Sequence, residues 1–505
     1  MNRFYKVIAV LLYLTAITSS GLYFITKFVI KNFGKVQLSQ LLFHIRVGAG
    51  GGLTKKLIIS GVKYGVQWII IAGFLTYLLF IFLKSDSIGE IYSLLKNGIK
   101  KLASKLNKPL LILGIILAAI SVKAFSFVDH NLHVVKYLTQ KQSPFFEKNY
   151  ARLDTTHFKN PKKKNLIIIF LESMEQGYSD KNIYGENLIK ELNELQKEGI
   201  VFKGHKNSNG ANFTIGGIAA QTLGVPIVRV PFDIHDGKTR FNVLLKNAPS
   251  IFNLLKNDGY STTAFFGTSQ KFTAQDNFLQ VHGIADVYSR EYFETHNYLL
   301  DEENRGADSW GYNDEFLWAR FCEYLSNISR SNQPFAAMLE TIDTHFPKGF
   351  TKKKFEKFNG VQDAIRASSI MVSEFISWAK KQPWYKNTTI VIVGDHPWQD
   401  PPVDFTQLTK KSHNREIFNV ILNSVYSPKT ITISDGWSSN DMASTILDAM
   451  GIEYAATLND GKVVKHRVGI GKSLFFNQKT LMGELGQDNF MKTMNKPSRF
   501  YDRLY

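Results

Sequence analysis

Three short segments of this chain end in residues that could hold a metal ion or attack a phosphorus atom. The apolar run Asn165 to Leu171 stops at Glu172 and Ser173. The run Thr389 to Val393 stops at Gly394, Asp395 and His396. Between them, Asn209 to Gly217 presents one hydroxyl, Thr214, in a glycine-rich turn. A carboxylate, a hydroxyl, a second carboxylate and an imidazole make a metal site that could activate its own nucleophile. Oxygen ligands with one imidazole suit a borderline divalent ion such as Mn²⁺ or Zn²⁺. A threonine hydroxyl is a poor nucleophile until a metal lowers its pKa. The helix expected over Ile218 to Leu223 would also aim N–H groups at a phosphate bound near Thr214. Each segment alone has a plainer explanation. Glu172 could be a helix N-terminal carboxylate, Thr214 an N-cap, and Asp395-His396 a capping aspartate beside a structural histidine. Their conjunction favours a site.

Other residues could complete it. His345, in Thr341 to Pro347, could bind a transferred phosphate or protonate a leaving group. Trp310 and Asp314 offer a loop aromatic and a carboxylate as substrate contacts. His413 and Arg415 could touch an anion. Each of these has an equally good structural explanation, and His44, His205 and His466 are assigned no role.

The elements that must position these residues read as alternating strands and helices. Leu166 to Leu171 is a fully apolar run, as in a buried parallel strand. Leu188, Ile189, Leu192 and Leu195 share a helical face, and Gly199 supplies a stop. Further strands are expected at Ile200 to Phe202, Thr262 to Phe266, Phe335 to Leu339 and Thr389 to Val393. The pattern predicts an α/β sandwich with a mostly parallel sheet. Ligands gather at the carboxyl ends of such strands, where Glu172, Asp395 and His396 stand. Gly394 is expected to ease the turn before the last two.

The chain has 505 residues and a net charge of +18, which suits an anionic partner such as a membrane surface or a phosphate-rich substrate. No zinc-finger spacing or RNA-binding aromatic signature accompanies the charge, so nucleic acid is not the expected partner. The lone Cys322 rules out an intrachain disulfide and reads as a plain buried thiol. Val7 to Thr26, Tyr64 to Leu83 and Pro109 to Val128 are each long enough to cross a bilayer core, which takes ~20 residues. Lys123 interrupts the third run and could snorkel to the interface. Lysines between residues 84 and 108 favour a cytoplasmic loop there, though the first loop is basic as well. The expected organisation is a transmembrane region over 1–128, a juxtamembrane connector over 129–164 and an extracytoplasmic catalytic domain over 165–505. In a bacterium this is a multi-pass protein of the cytoplasmic membrane, with the catalytic domain in the periplasm or outside.

As a set, these motifs resemble the membrane-anchored phosphoglycerol transferases, in the sulfatase-like branch of the alkaline phosphatase superfamily. The lipoteichoic acid synthases are similar but more distant. The likeness runs from Phe33 to Ile45, through Asn165 to Pro226, Trp310-Gly with Asp314, and Thr341 to His345, to Gly394-Asp-His396. It implies one divalent ion, Mn²⁺ favoured with Zn²⁺ or Mg²⁺ as alternatives, held by Glu172, Thr214, Asp395 and His396. It implies phosphatidylglycerol as donor, a glycerophospho-threonine intermediate on Thr214, release of diacylglycerol, and a glycan, glucan or lipopolysaccharide acceptor. The nucleophile position lacks the Cys/Ser-x-Pro-x-Arg motif of sulfate-ester hydrolases, so that activity is not expected. Phosphoethanolamine transfer is the enzymatic alternative, but that branch usually has more spans and several disulfides. A catalytically silent membrane scaffold is the other alternative, and it would need none of the four residues.

Overall fold

The computed structural model describes residues 3–33, 36, 38–39, 41–42, 55–84, 108–229, 244–271, 275–306, 311–345, 349–358, 360–398, 414–476 and 479–505. The chain divides into two compact units, Met1–Leu38 with Thr54–Thr139, and Ser39–Leu53 with Gln140–Tyr505.

The first unit contains three long helices, α1 (Arg3–Phe33), α2 (Lys55–Lys84) and α3 (Lys108–Leu132). Each holds a stretch long and apolar enough to cross a membrane, at Val10–Asn32, Leu57–Phe80 and Leu113–Leu132. Ala16, Leu75 and Leu117 form their buried core. Ile69, Ile70 and Phe74 on α2 point outward at 61%, 66% and 60% exposure, a surface suited to lipid rather than water. Polar contacts join the helices inside this apolar setting, with Tyr13 to Thr76 at 2.7 Å and Asn32 to Ser60 at 3.0 Å. Lys123 is exposed on α3, near the middle of the Leu113–Leu132 stretch. The basic loops that bear on orientation, and most of Phe33 to Ile45, lie outside the described residues.

The second unit is built on an eight-stranded sheet. Its strands are β2 (Asn165–Leu171), β3 (Ile200–His205), β4 (Ser261–Phe266), β5 (Asp286–Tyr288), β6 (Phe335–Glu340), β7 (Thr388–Gly394), β8 (Asn419–Leu422) and β9 (Lys429–Trp437). The order is β5-β4-β6-β2-β7-β8-β3-β9, and β8 alone runs against the others. This is the expected α/β sandwich with a mostly parallel sheet. All seven residues of β2 are buried, because helices cover both faces. Ile168 and Phe170 face the side of α4 (Thr214–Leu223). Ile167, Ile169 and Leu171 face the side of α5 (Asp314–Ile328) and α6 (Val361–Ala379). Cys322 on α5 packs against this second core, and burial pushes its thiol up to about 12, so it is inert.

Residues 129–164 are not one connector. A strand, β1 (Ala151–Lys159), pairs antiparallel with β10 (Glu453–Leu458), with Leu153 opposite Ala456. Phe145 and Phe146 are buried, against Phe490 and Tyr501 respectively. This half of the segment therefore belongs to the second unit. Its polar sequence hides the strand because β1 is partly exposed and carries no continuous apolar run. Strand β9 escapes the sequence for the same reason, with its first seven residues largely exposed.

Candidate active site

The sheet brings two distant strand ends together. β2 and β7 pair in parallel register, Leu171 beside Gly394, so Glu172 and Asp395 emerge side by side. Glu172, Asp395 and His396 are 1%, 0% and 3% exposed, and one ligand atom from each lies within 4.8 Å of the others. Asp395 Oδ1 accepts two backbone N–H groups, from Ser173 and His396, each at 2.7 Å. Its Oδ2 is buried and accepts no hydrogen bond, although His396 Nε2 lies 3.3 Å away. His396 Nδ1 pairs with the Pro397 carbonyl at 2.9 Å, which fixes that nitrogen as the N–H and leaves the Nε2 lone pair facing the carboxylates. Two acceptors aimed at one buried space, each held from behind, fit a divalent cation.

Thr214 joins this group from the opposite direction. It is the first residue of α4, and the N-cap is Phe213, which makes no side-chain cap. The N-cap explanation for Thr214 therefore fails. Its Oγ1 donates instead to Glu172 Oε2 at 3.3 Å. The first helical bond runs from Gly217 N to Phe213 O at 2.8 Å, so the amides of residues 214–216 lie at the open end of the helix, where an anion would be favoured. Helix α4 lies close against the strand end because Gly217 has no side chain. A Cβ there would stand 2.2 Å from Asp395 O. Gln221, one turn on, donates to Gly394 O and Asp395 O, both at 3.1 Å.

Gly394 acts differently from the expectation. It does not adopt a positive φ, and its missing side chain makes room for Met174 O, 2.3 Å from where a Cβ would be. The left-handed residue at this corner is Ser173, with φ 52°. A non-glycine residue held there marks local strain at a functional turn. Ser173 also donates its hydroxyl to Glu172 Oε1 at 2.5 Å.

The remaining candidates separate. His345 is partly buried in the turn after β6. That turn is fastened to Glu172, because Thr341 Oγ1 accepts from Glu172 N at 3.0 Å and Thr344 donates to Glu172 O. Asp314 is not a surface contact for substrate. It is 0% exposed, and its carboxylate accepts from the amides of Ile342 and Asp343 at 2.7 and 3.2 Å. Its place is behind the His345 turn, because those two amides of that turn hold its carboxylate there. Arg415 is half-exposed and ion-paired with Glu175. Trp310 and His413 lie outside the described residues. His205 is buried against Trp437 and Ser439.

Ser173, Gln221, Thr341 and Thr344, which hold the clustered residues in place, and the buried Glu340 carry no signature in the sequence that assigns them a role. Adjacency to the strand ends was the available signal for all but Gln221. Glu340 ends β6 level with Phe170 and is 5% exposed. Burial, then the charges of Asp395, Glu172 and Asp314, push its carboxyl well above the usual range. Burial likewise raises Asp395, with Glu172 next, and raises Asp343, with Asp314 next. Burial takes Asp314 up to about 7.

These shifts set a pH dependence. A raised carboxyl binds a proton in the folded chain that the unfolded chain has already released. Without metal, stability therefore falls as pH rises from about 4, through Asp314 at about 7, and onward for the others. His205 and His282, pushed down to about 3 and about 4 by burial, add no opposing trend above pH ~6.5. The thermal midpoint in EDTA is expected to drop between pH ~6.5 and ~8, and Mn²⁺ should flatten that drop by replacing protons at Asp395. A midpoint in EDTA that rises over this interval would contradict the buried-acid reading.

Comparison with known proteins gives one family. The sulfatase family's sequence profile matches residues 164–452, more than half of the chain. Among curated proteins, phosphoglycerol transferase I of Salmonella choleraesuis strain SC-B67 is 30% identical over 348 residues, covering 67% of this chain and 44% of that protein. Phosphoglycerol transferase I of Citrobacter koseri is 29% identical over the same length and shares. The chain thus spans less than half the length of these relatives. Among solved structures, the lipoteichoic acid synthase LtaP of Listeria monocytogenes aligns with TM-score 0.49 at 17% identity, over 71% of this chain and 95% of that one. An alkaline phosphatase superfamily protein of Vibrio parahaemolyticus aligns with TM-score 0.49 at 21% identity, over 68% of this chain and 77% of that one.

Proposed function

The chain belongs to the sulfatase family, and from that premise we propose that it is a phosphoglycerol transferase working at the outer side of a bacterial cytoplasmic membrane. The donor is phosphatidylglycerol and the acceptor a hydroxyl of a glycan or glycolipid. The observation that carries this reading is the hydroxyl of Thr214 at 3.3 Å from Glu172, beside the Asp395 and His396 cluster. The phosphoglycerol transferase relatives, 29–30% identical, support the choice of group transferred. A helical unit able to cross a membrane is natural company for an enzyme whose donor is a lipid.

Glu172, Thr214, Asp395 and His396 would hold one divalent ion, with Mn²⁺ favoured. When bound, that ion lowers the pKa of the threonine hydroxyl and stabilises charge on phosphate oxygens. Thr214 Oγ1 attacks the phosphorus as its proton passes to Glu172 Oε2, the oxygen it already donates to, and an O–P bond forms as the bond to the diacylglycerol oxygen breaks. His345 supplies the proton that the departing oxygen needs. The amides at the start of α4 stabilise the phosphoryl oxygens. Glycerophosphate stays on Thr214 until an acceptor hydroxyl attacks the phosphorus and loses its proton to His345, while the Thr214 O–P bond breaks and Thr214 Oγ1 takes its proton back from Glu172. Arg415 contacts the anionic headgroup.

The test uses the full chain in detergent with headgroup-labelled phosphatidylglycerol and Mn²⁺, beside a chelator control. Metal-dependent release of diacylglycerol is expected. Release from phosphatidylethanolamine alone would move the protein to phosphoethanolamine transfer. Silence on both lipids, with Mn²⁺ bound, would overturn the enzymatic reading.

A further inference from the structure

Glu175 lies three residues beyond Glu172, outside the ligand set, and is 1% exposed. It sits where two segments zip together. Gln176 N donates to Glu416 O at 2.8 Å, and Phe418 N to Met174 O at 2.9 Å. Its two carboxylate oxygens each meet a partner among the described residues. Oε2 pairs with Arg415 Nε at 2.7 Å, and Oε1 accepts from Trp398 N at 2.8 Å. Arg415 in turn donates to Trp398 O.

The Trp398 N–H belongs to the same peptide unit as the Pro397 carbonyl, and that carbonyl pairs with His396 Nδ1. A carboxylate accepting from a peptide N–H polarises the unit and strengthens its carbonyl as an acceptor. One buried charge therefore stands behind both the imidazole of the metal cluster and the guanidinium assigned to the headgroup. We infer that Glu175 is the positioning residue that sets His396 for the metal and Arg415 for the anion, coupling the two halves of the site through the Pro397–Trp398 peptide. This rests on the phosphoglycerol-transfer reading for the anion arm only, because the metal arm stands without it.

Two substitutions separate the arms. Glu175→Gln keeps an oxygen for Trp398 N–H and removes the charge opposite Arg415. It should bind Mn²⁺ within ~3-fold of wild type by calorimetry, and raise KM for phosphatidylglycerol ~10-fold with kcat nearly unchanged. Glu175→Ala removes both contacts and should weaken Mn²⁺ binding ~10- to 100-fold as well. Arg415→Gln should copy the KM effect and leave Mn²⁺ binding alone, which keeps the inference testable if the alanine variant misfolds. Unchanged KM in Glu175→Gln, or wild-type Mn²⁺ affinity in a folded Glu175→Ala, overturns the assignment. Wild-type protein inert toward phosphatidylglycerol would instead sink the functional reading, and the Mn²⁺ comparison would still decide the metal arm.

Discussion

Thr214→Ala is expected to lower diacylglycerol release by at least ~10³-fold while the protein stays folded and still binds Mn²⁺. The threonine is partly buried and does not cap α4, so its loss leaves no helix end unsatisfied. Deleting its methyl and hydroxyl should cost less than ~1 kcal/mol of stability. Among the described residues, its side chain donates one hydrogen bond, 3.3 Å to Glu172 Oε2. Three ligand residues, Glu172, Asp395 and His396, remain in the variant, so Mn²⁺ should still raise the thermal midpoint. Thr214→Ser keeps the attacking oxygen and should retain far more activity than the alanine variant. Headgroup release and thermal shift on the three proteins check this together. An alanine variant that turns over at near the wild-type rate would exclude a threonine nucleophile. One that no longer responds to Mn²⁺ would make the hydroxyl a principal ligand instead.

Gly217→Ala is the second large effect, and its sign runs against helix propensity. On an exposed helix, glycine to alanine stabilises by ~1 kcal/mol. Here the new methyl would lie 2.2 Å from Asp395 O and 2.9 Å from Asp395 C, which are backbone atoms and cannot rotate away. Either α4 moves off the sheet or the turn after β7 moves. Both carry a site residue, Thr214 on the first and Asp395 on the second. Overpacking of this kind costs ~1–3 kcal/mol, and a displacement of ~1 Å in a reacting group costs ~10²-fold in rate. The variant should melt lower and lose at least that much activity. A melting point equal to or above wild type, with activity intact, would show that the close approach of α4 is not what positions Thr214.

The class of the fold, the apolar helical unit and the residues that the structure gathers into the candidate site were all legible in the sequence. Apolar runs that stop abruptly at charged residues mark buried strands and their carboxyl ends, and that signal is local. It placed Glu172, Asp395 and His396 at strand ends, where the structure has them. Local signals failed where the pattern was thin. Strand β1 looks like connector in the sequence because a partly exposed strand has no continuous apolar run. Asp314 was read as a substrate contact because nothing local shows that its carboxylate turns inward to the amides of Ile342 and Asp343. It is the folded chain that sets Leu171 beside Gly394, brings α4 close enough for Thr214 to reach Glu172, and stands Glu175 behind His396 and Arg415. These are pairings across long sequence separations. They are fixed by sheet order, by backbone contact at Gly217 and by buried hydrogen bonds, none of which leaves a periodic trace along the chain.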